Sequence, residues 1–225
     1  MSRAAAAGHA RGDARTAPPA DAYTGSVTLQ DAPAAPGDLT LGILAGGLAT
    51  RLHGRDKAWL ARGGVPQVVR IARAHRTQVA WCLVSANGDG AAFAAVGLPA
   101  VADRHAGLGP IGGLHALAQA CTTTWLFTLP VDALALDAAL PERLAAAAGQ
   151  GNGACLADDD GPQPLAALWR VNALREASHA AIEAGTLSVQ ALQRALGMPA
   201  LRVKGLHLGN LNTPADLQAA GMDDP

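Results

Sequence analysis

Short apolar runs alternate with stretches of helical spacing over most of the chain. Leu39 to Ala45 reads Leu-Thr-Leu-Gly-Ile-Leu-Ala and stops at Gly46-Gly47, which predicts a short buried strand. Val79 to Ser85, Pro99 to Ala102, Trp125 to Leu129 and Leu201 to Leu206 predict further strands. Ala154 to Ala157 and Leu165 to Trp169 predict two more, flanking the turn Asp158-Asp159-Asp160-Gly161. Helical spacing covers Ile111 to Ala120, with Pro110 suited to a first turn, and then Asp137 to Ala148, Asn172 to Ala184 and Ser188 to Leu196. Asn212-Thr213-Pro214 is placed to cap a last helix. Strands that alternate with helices need both faces of their sheet covered. The expected fold is therefore a single three-layer α/β/α domain with a mainly parallel sheet. Residues 1–38 are rich in Ala, Gly, Pro and Asp without periodicity, and are expected to be a disordered extension before a domain spanning 39–221.

Composition narrows the function classes. Of 225 residues, 50% are hydrophobic and 16% charged, enough for one sizeable core and cramped for two. A net charge of -1 shows no basic excess for neutralising phosphates, which argues against nucleic acid as a partner. No apolar run approaches the roughly 20 residues of a membrane span, and the first ten residues lack a signal-peptide core, so a soluble, cytoplasmic protein is expected. Cys82, Cys121 and Cys155 are widely spaced and form no CxxC pair, which reads as buried free thiols. Trp59, Trp81, Trp125 and Trp169 fall on apolar runs and read as core.

In such a sheet, ligands bind beyond the carboxyl ends of the strands. The first strand empties into Gly46-Gly47-Leu48-Ala49-Thr50-Arg51-Leu52-His53-Gly54-Arg55-Asp56-Lys57. Glycines let backbone amides approach phosphate oxygens, and Arg51 and Lys57 place positive charge where a triphosphate would lie. The loop is neither a P-loop nor GxGxxG, and an ordinary loop with two basic residues is the alternative. Asp132 follows the run Trp125 to Val131; a carboxylate there can hold Mg²⁺ against phosphate oxygens or simply cap a turn. Asp103 precedes Gly107-Leu108-Gly109-Pro110-Ile111-Gly112-Gly113, a second glycine-rich turn opening a helix whose amino end favours anions. Asn87, after another strand, offers a neutral donor and acceptor for a ribose or base edge. Asp158-Asp159-Asp160 reads as a solvated turn rather than a metal site, and the seven histidines show no paired ligand spacing.

Leu44-Ala45-Gly46-Gly47, Arg51, Gly54 and Asp56-Lys57 together resemble the signature loop of the molybdenum cofactor guanylyltransferases. The resemblance continues in order through Asn87, Asp103, Gly109-Pro110-Ile111-Gly112-Gly113-Leu114, Asp132, Gly161-Pro162-Gln163-Pro164 and Asn210-Leu211-Asn212-Thr213-Pro214. It implies a nucleotidyltransferase (Rossmann-like) architecture and Mg²⁺-dependent transfer of GMP from GTP to the terminal phosphate of the molybdenum–molybdopterin cofactor. By the same resemblance, Lys57, Asp132 and Arg51 are catalytic, and Asp132 holds the metal. Leu44, Ala45, Gly46, Gly47, Lys57, Asn87, Asp103, Gly109 and Asp132 contact the nucleotide, and Asn210 and Asn212 the cofactor substrate. Proteins that deliver the cofactor or receive it are implied partners. Two rivals stay open: a cytidylyl- or sugar-phosphate nucleotidyltransferase of the same fold, and a non-catalytic nucleotide- or cofactor-binding protein.

Overall fold

The computed structural model describes residues 38–46, 56–88, 90–103 and 107–223. The expected extension up to residue 37, and the loop residues Gly47 and Arg51, lie outside the described residues. Among the described residues nine strands form: β1 (Leu39–Leu44), β2 (Ala61–Arg62), β3 (Val65–Pro66), β4 (Trp81–Ser85), β5 (Ala100–Val101), β6 (Trp125–Pro130), β7 (Gly153–Asp158), β8 (Gly161–Arg170) and β9 (Ala200–Arg202). The helices are α1 (Gln67–His75), α2 (Gly90–Ala95), α3 (Pro110–Ala120), α4 (Leu140–Ala148), α5 (Val171–Glu183), α6 (Val189–Ala195) and α7 (Pro214–Ala219).

Seven strands make one sheet in the order β5-β4-β1-β6-β8-β7-β9, and β2 and β3 form a small separate hairpin. Only β8 runs against its neighbours in the large sheet, because it returns from β7 through a tight turn. The other strands are co-directional, so β1, β4, β5, β6, β7 and β9 all end on the same edge.

The central strands are apolar on both faces, as a sheet covered on two sides requires. Leu41 and Ile43 of β1 and Phe127 and Leu129 of β6 pack with Val68 and Ile71 of α1, Phe93 of α2 and Leu144 of α4. On the other face, Leu44 and Leu126 pack with Leu114 and Leu117 of α3, Trp169, Leu174 of α5 and Leu192 of α6. Each large side chain buried this way contributes about 1.5–3 kcal/mol. Helix α3 lies close on the sheet because β1 carries Gly42, where a Cβ would stand 2.9 Å from Leu117 Cδ1. Its own Gly113 likewise leaves no Cβ to meet Ser85 Oγ at 2.8 Å.

Several boundaries differ from expectation for local reasons. Helix α4 starts at Leu140 rather than Asp137, because the Asp137 carboxylate accepts from the Ala139 amide at 2.9 Å and closes a turn there. The late strand ends at Arg202 rather than Leu206, where its pairing with β7 runs out. Trp81 is not core: at the first position of β4 it is 62% exposed, whereas Trp169 is fully buried. Cys121 is buried and Cys82 and Cys155 are half-buried, all three as free thiols.

Candidate active site

Asp56 opens the approach to the site. Its Oδ1 accepts from the Ala58 amide at 2.9 Å and caps the single 3-10 turn Lys57–Trp59. Buried Ala58 and the ring of Trp59, 5.0 Å from that of Phe93, fasten this turn to the core. The Lys57 stem is thereby directed across the sheet edge.

Asp132 stands just past β6. The Val131 amide extends the ladder by donating to Leu44 O at 3.0 Å, and the Ala133 amide turns back to Pro130 O at 3.1 Å. Asn212 lies on the approach to α7, where Thr213 is the N-cap and Pro214 the first helical residue, as expected. Asp216 completes a capping box and also accepts from the Asn212 amide at 3.0 Å. The Asn212 and Thr213 amides hold the Asp216 carboxyl below its ordinary value, and the Lys57 charge acts in the same direction.

These segments converge on one ammonium group. Lys57 Nζ donates to Asp132 Oδ2 at 2.7 Å and to Asn212 Oδ1 at 2.7 Å. The Lys57 and Asp132 side chains keep about a fifth of their surface exposed, 20% and 21%, so the pair is held by protein yet open to a ligand. Among the described residues, no protein group bonds the other Asp132 oxygen or the third ammonium proton.

A second cluster forms two strands away. Asn87 follows β4, and its Oδ1 accepts from the Asp103 amide, beyond β5, at 2.8 Å. The Asp103 carboxylate rests on the first turn of α3 at Gly112, where a Cβ would fall only 1.9 Å from Oδ2. Gly109 caps that helix with φ 56°, a left-handed conformation that glycine adopts freely. Leu44, Ala45 and Gly46 leave β1, which lies between β4 and β6, so the chain toward Lys57 departs between the two clusters. Of the expected site residues, Lys57, Asp132 and Asn212 form one unit, and Asn87 and Asp103 the other. Asn210 is exposed and bonds neither.

The aspartate run after β7 departs from a solvated turn. Asp158 is fully buried, and its oxygens accept from the amides of Leu208 at 2.8 Å and Asp160 at 3.0 Å and from Gln163 Nε2 at 3.1 and 3.2 Å. Burial pushes its carboxyl up, but these donors together bring it below the ordinary value. Asp159 and Asp160 carry the turn. They meet the 204–208 loop, where Asp160 Oδ2 and His207 Nδ1 are 3.1 Å apart. His207 is exposed, and its bond to Asp160 raises its pKa.

A divalent metal fits Asp132 in one way. Among the described residues, no three His, Cys, Asp or Glu side chains gather to hold an ion by themselves. Mg²⁺ characteristically takes one or two carboxylates and completes its shell with phosphate oxygens and water. A single strand-end carboxylate with one uncommitted oxygen, part-exposed beside the Lys57 ammonium, suits that habit.

Residues 41–198 match the model of the MobA-like NTP transferase domain. The chain belongs to the MobA-like NTP transferase family. As a member of this family it is a nucleotidyltransferase. It is 38% identical over 185 residues to a molybdenum cofactor guanylyltransferase of Cereibacter sphaeroides, covering 79% of this chain and 93% of that protein. It is 28% identical over 177 residues to one from Yersinia pseudotuberculosis, covering 77% and 90%. Among solved structures, molybdopterin-guanine dinucleotide biosynthesis protein A from Archaeoglobus fulgidus superposes with a TM-score of 0.64 at 19% identity, covering 81% of this chain and 96% of that one. The 2-C-methyl-D-erythritol 4-phosphate cytidylyltransferase from Thermus thermophilus gives 0.59 at 18%, over 80% and 96%. At such identities the likeness is one of fold. Among the described residues, no helix is long and apolar enough to cross a membrane.

Asp216 was not anticipated in the sequence, although the Thr213-x-x-Asp216 spacing was a usable sign of it.

Proposed function

We propose that this nucleotidyltransferase moves GMP from GTP to the terminal phosphate of the molybdenum–molybdopterin cofactor, yielding the guanine dinucleotide and pyrophosphate. The observation that carries the reading is Lys57 held between Asp132 and Asn212 at the carboxyl edge of a MobA-like domain.

Phosphoryl and nucleotidyl transfer need little covalent help, so positioning and charge dominate. An oxygen of the acceptor's phosphate attacks the α-phosphorus in line; one P–O bond forms while the bond to the β-phosphate oxygen breaks. Charge then grows on departing pyrophosphate, and Lys57 supplies an ammonium there whose orientation is already fixed by two acceptors. Mg²⁺, held by Asp132, would neutralise triphosphate charge when bound. Asn87 and Asp103 hold the nucleoside side, and Asn212 presents its free amide toward the acceptor. Arg51 adds charge from the loop after β1.

The test is Mg²⁺-dependent pyrophosphate release with GTP or CTP and molybdopterin-type cofactor, with Lys57→Ala beside the wild type. Release with GTP alone, falling at least about a hundredfold in the variant, is expected. Release with CTP alone would keep the chemistry and replace the base. Nucleotide binding without release would favour a binding protein.

A further inference from the structure

Lys57 and Asp132 are 75 positions apart, and one buried residue bonds both turns that carry them, one through its backbone and the other through its side chain. Gln67, the first residue of α1, has no exposed surface. Its backbone amide donates to Leu60 O at 2.8 Å, at the end of the Lys57 turn. Its side-chain Nε2 donates to Ala133 O at 2.6 Å, the carbonyl immediately after Asp132. An Arg70 guanidinium N–H donates to the remaining oxygen, Oε1, at 3.0 Å. Arginine can only donate, so this contact decides which end of the amide is oxygen and turns Nε2 toward Ala133.

We infer that Gln67 is a positioning residue for nucleotidyl transfer, setting Lys57 against Asp132 by bonding to both turns at once. It touches no substrate. A polar side chain completely removed from water is retained only where its donors and acceptors are met, and here they are met by the Ala133 carbonyl beside Asp132 and by Arg70, while the backbone amide of the same residue holds the Lys57 turn. Ala133 is fully buried as well, so its carbonyl would lose a partner that water cannot replace. A shift of about 1 Å between groups acting on one phosphate can cost roughly a hundredfold in rate.

The inference rests on the transfer reading only for what turnover reports. Two variants test it. Gln67→Leu keeps an uncharged side chain of similar bulk and removes the bond to Ala133. Gln67→Glu keeps the shape and the acceptor for Arg70 but places a carboxyl oxygen against Ala133 O. Protonated, that carboxyl donates as the amide does; ionised, it repels the carbonyl. The expected result is a kcat for Gln67→Leu lower by about ten- to a hundredfold. For Gln67→Glu, kcat should approach wild type at low pH and fall as pH rises, across a window where the wild type is steady. In both, GTP affinity without Mg²⁺ should hold, while the gain in affinity on adding Mg²⁺ shrinks. Wild-type kcat and Mg²⁺-dependent affinity in both folded variants, or a drop in melting temperature alone, would overturn the inference. If Gln67→Leu does not fold, the pH profile of Gln67→Glu decides. If the wild type releases no pyrophosphate, the transfer reading falls, and Gln67 is judged by the Mg²⁺-dependent affinity.

Discussion

Asp132 and Asp158 occupy matching places in opposite hydrogen-bond surroundings. Each stands at the carboxyl end of a strand of the same sheet, on the same edge. Asp158 is fully buried and surrounded by donors, including two backbone amides and a glutamine amide. Asp132 is partly exposed and gives one oxygen to Lys57. A carboxylate saturated by its own fold has nothing left for a ligand; a carboxylate with an open oxygen beside a fixed ammonium does. Position at a strand end therefore selects candidates, and the state of their hydrogen bonds decides among them.

The largest effect should separate the two by activity. Asp132→Ala should lower kcat by about a hundred- to a thousandfold or more, with folding stability changed by no more than about 1 kcal/mol, since a part-exposed ion pair contributes little. Steady-state pyrophosphate release and a thermal melt on the same preparation measure both. A folded Asp132→Ala enzyme with normal kcat would remove this residue from the site and end the contrast.

Asp158→Ala should show the reverse pattern. It strips a buried amide and the Gln163 side chain of their acceptor, which costs about 2–3 kcal/mol. For a chain of this size that lowers the melting temperature by roughly 5–10 °C. Well below the melt, kcat should suffer far less than in Asp132→Ala. The effect need not vanish, because Asp158 anchors Leu208, whose carbonyl accepts from Leu134 and Ala135 just beyond Asp132. A large loss of kcat without loss of stability would place Asp158 in the chemistry after all.

The contrast also explains what the sequence could disclose. The strands and the three layers follow from apolar runs and helical spacings that act locally. Asp132 could be marked as a candidate because it follows directly on the apolar run from Trp125 to Val131. Asp158 was not, because three consecutive aspartates look alike until one of them meets Leu208, 50 positions later. Gln67 was hidden for the same reason: its meaning lies in Ala133, 66 positions away, and not in its neighbours. Asn210 and Asn212 looked equivalent in Asn-Leu-Asn, yet only Asn212 is held by the Asp216 box and turned to Lys57. Local patterning specifies elements; pairwise contacts over long separations specify which polar groups remain available.

The smallest predicted effect tests whether Asp158 is ionised in the fold. Its carboxyl is held below the ordinary 3.8, so between the two values the unfolded chain binds the extra proton. The stability it supplies is then complete above about pH 3.8 and is lost as pH falls through the lower folded value. Asp158→Asn retains an acceptor but cannot titrate, and should cost about 1 kcal/mol at neutral pH. His75, whose imidazole is kept neutral by burial, also withdraws stability on acidification, but its window opens below about 6.5 and is common to both proteins. Denaturant melts should therefore give two curves that descend together from pH 7 to about 4.5 and converge below about 4. Convergence would mean that the fold stabilises a charged Asp158, the saturated counterpart of Asp132. A constant gap throughout would mean that folding leaves the Asp158 pKa unshifted, and a gap that changes steadily as pH rises above about 3.8 would mean that the fold keeps Asp158 protonated.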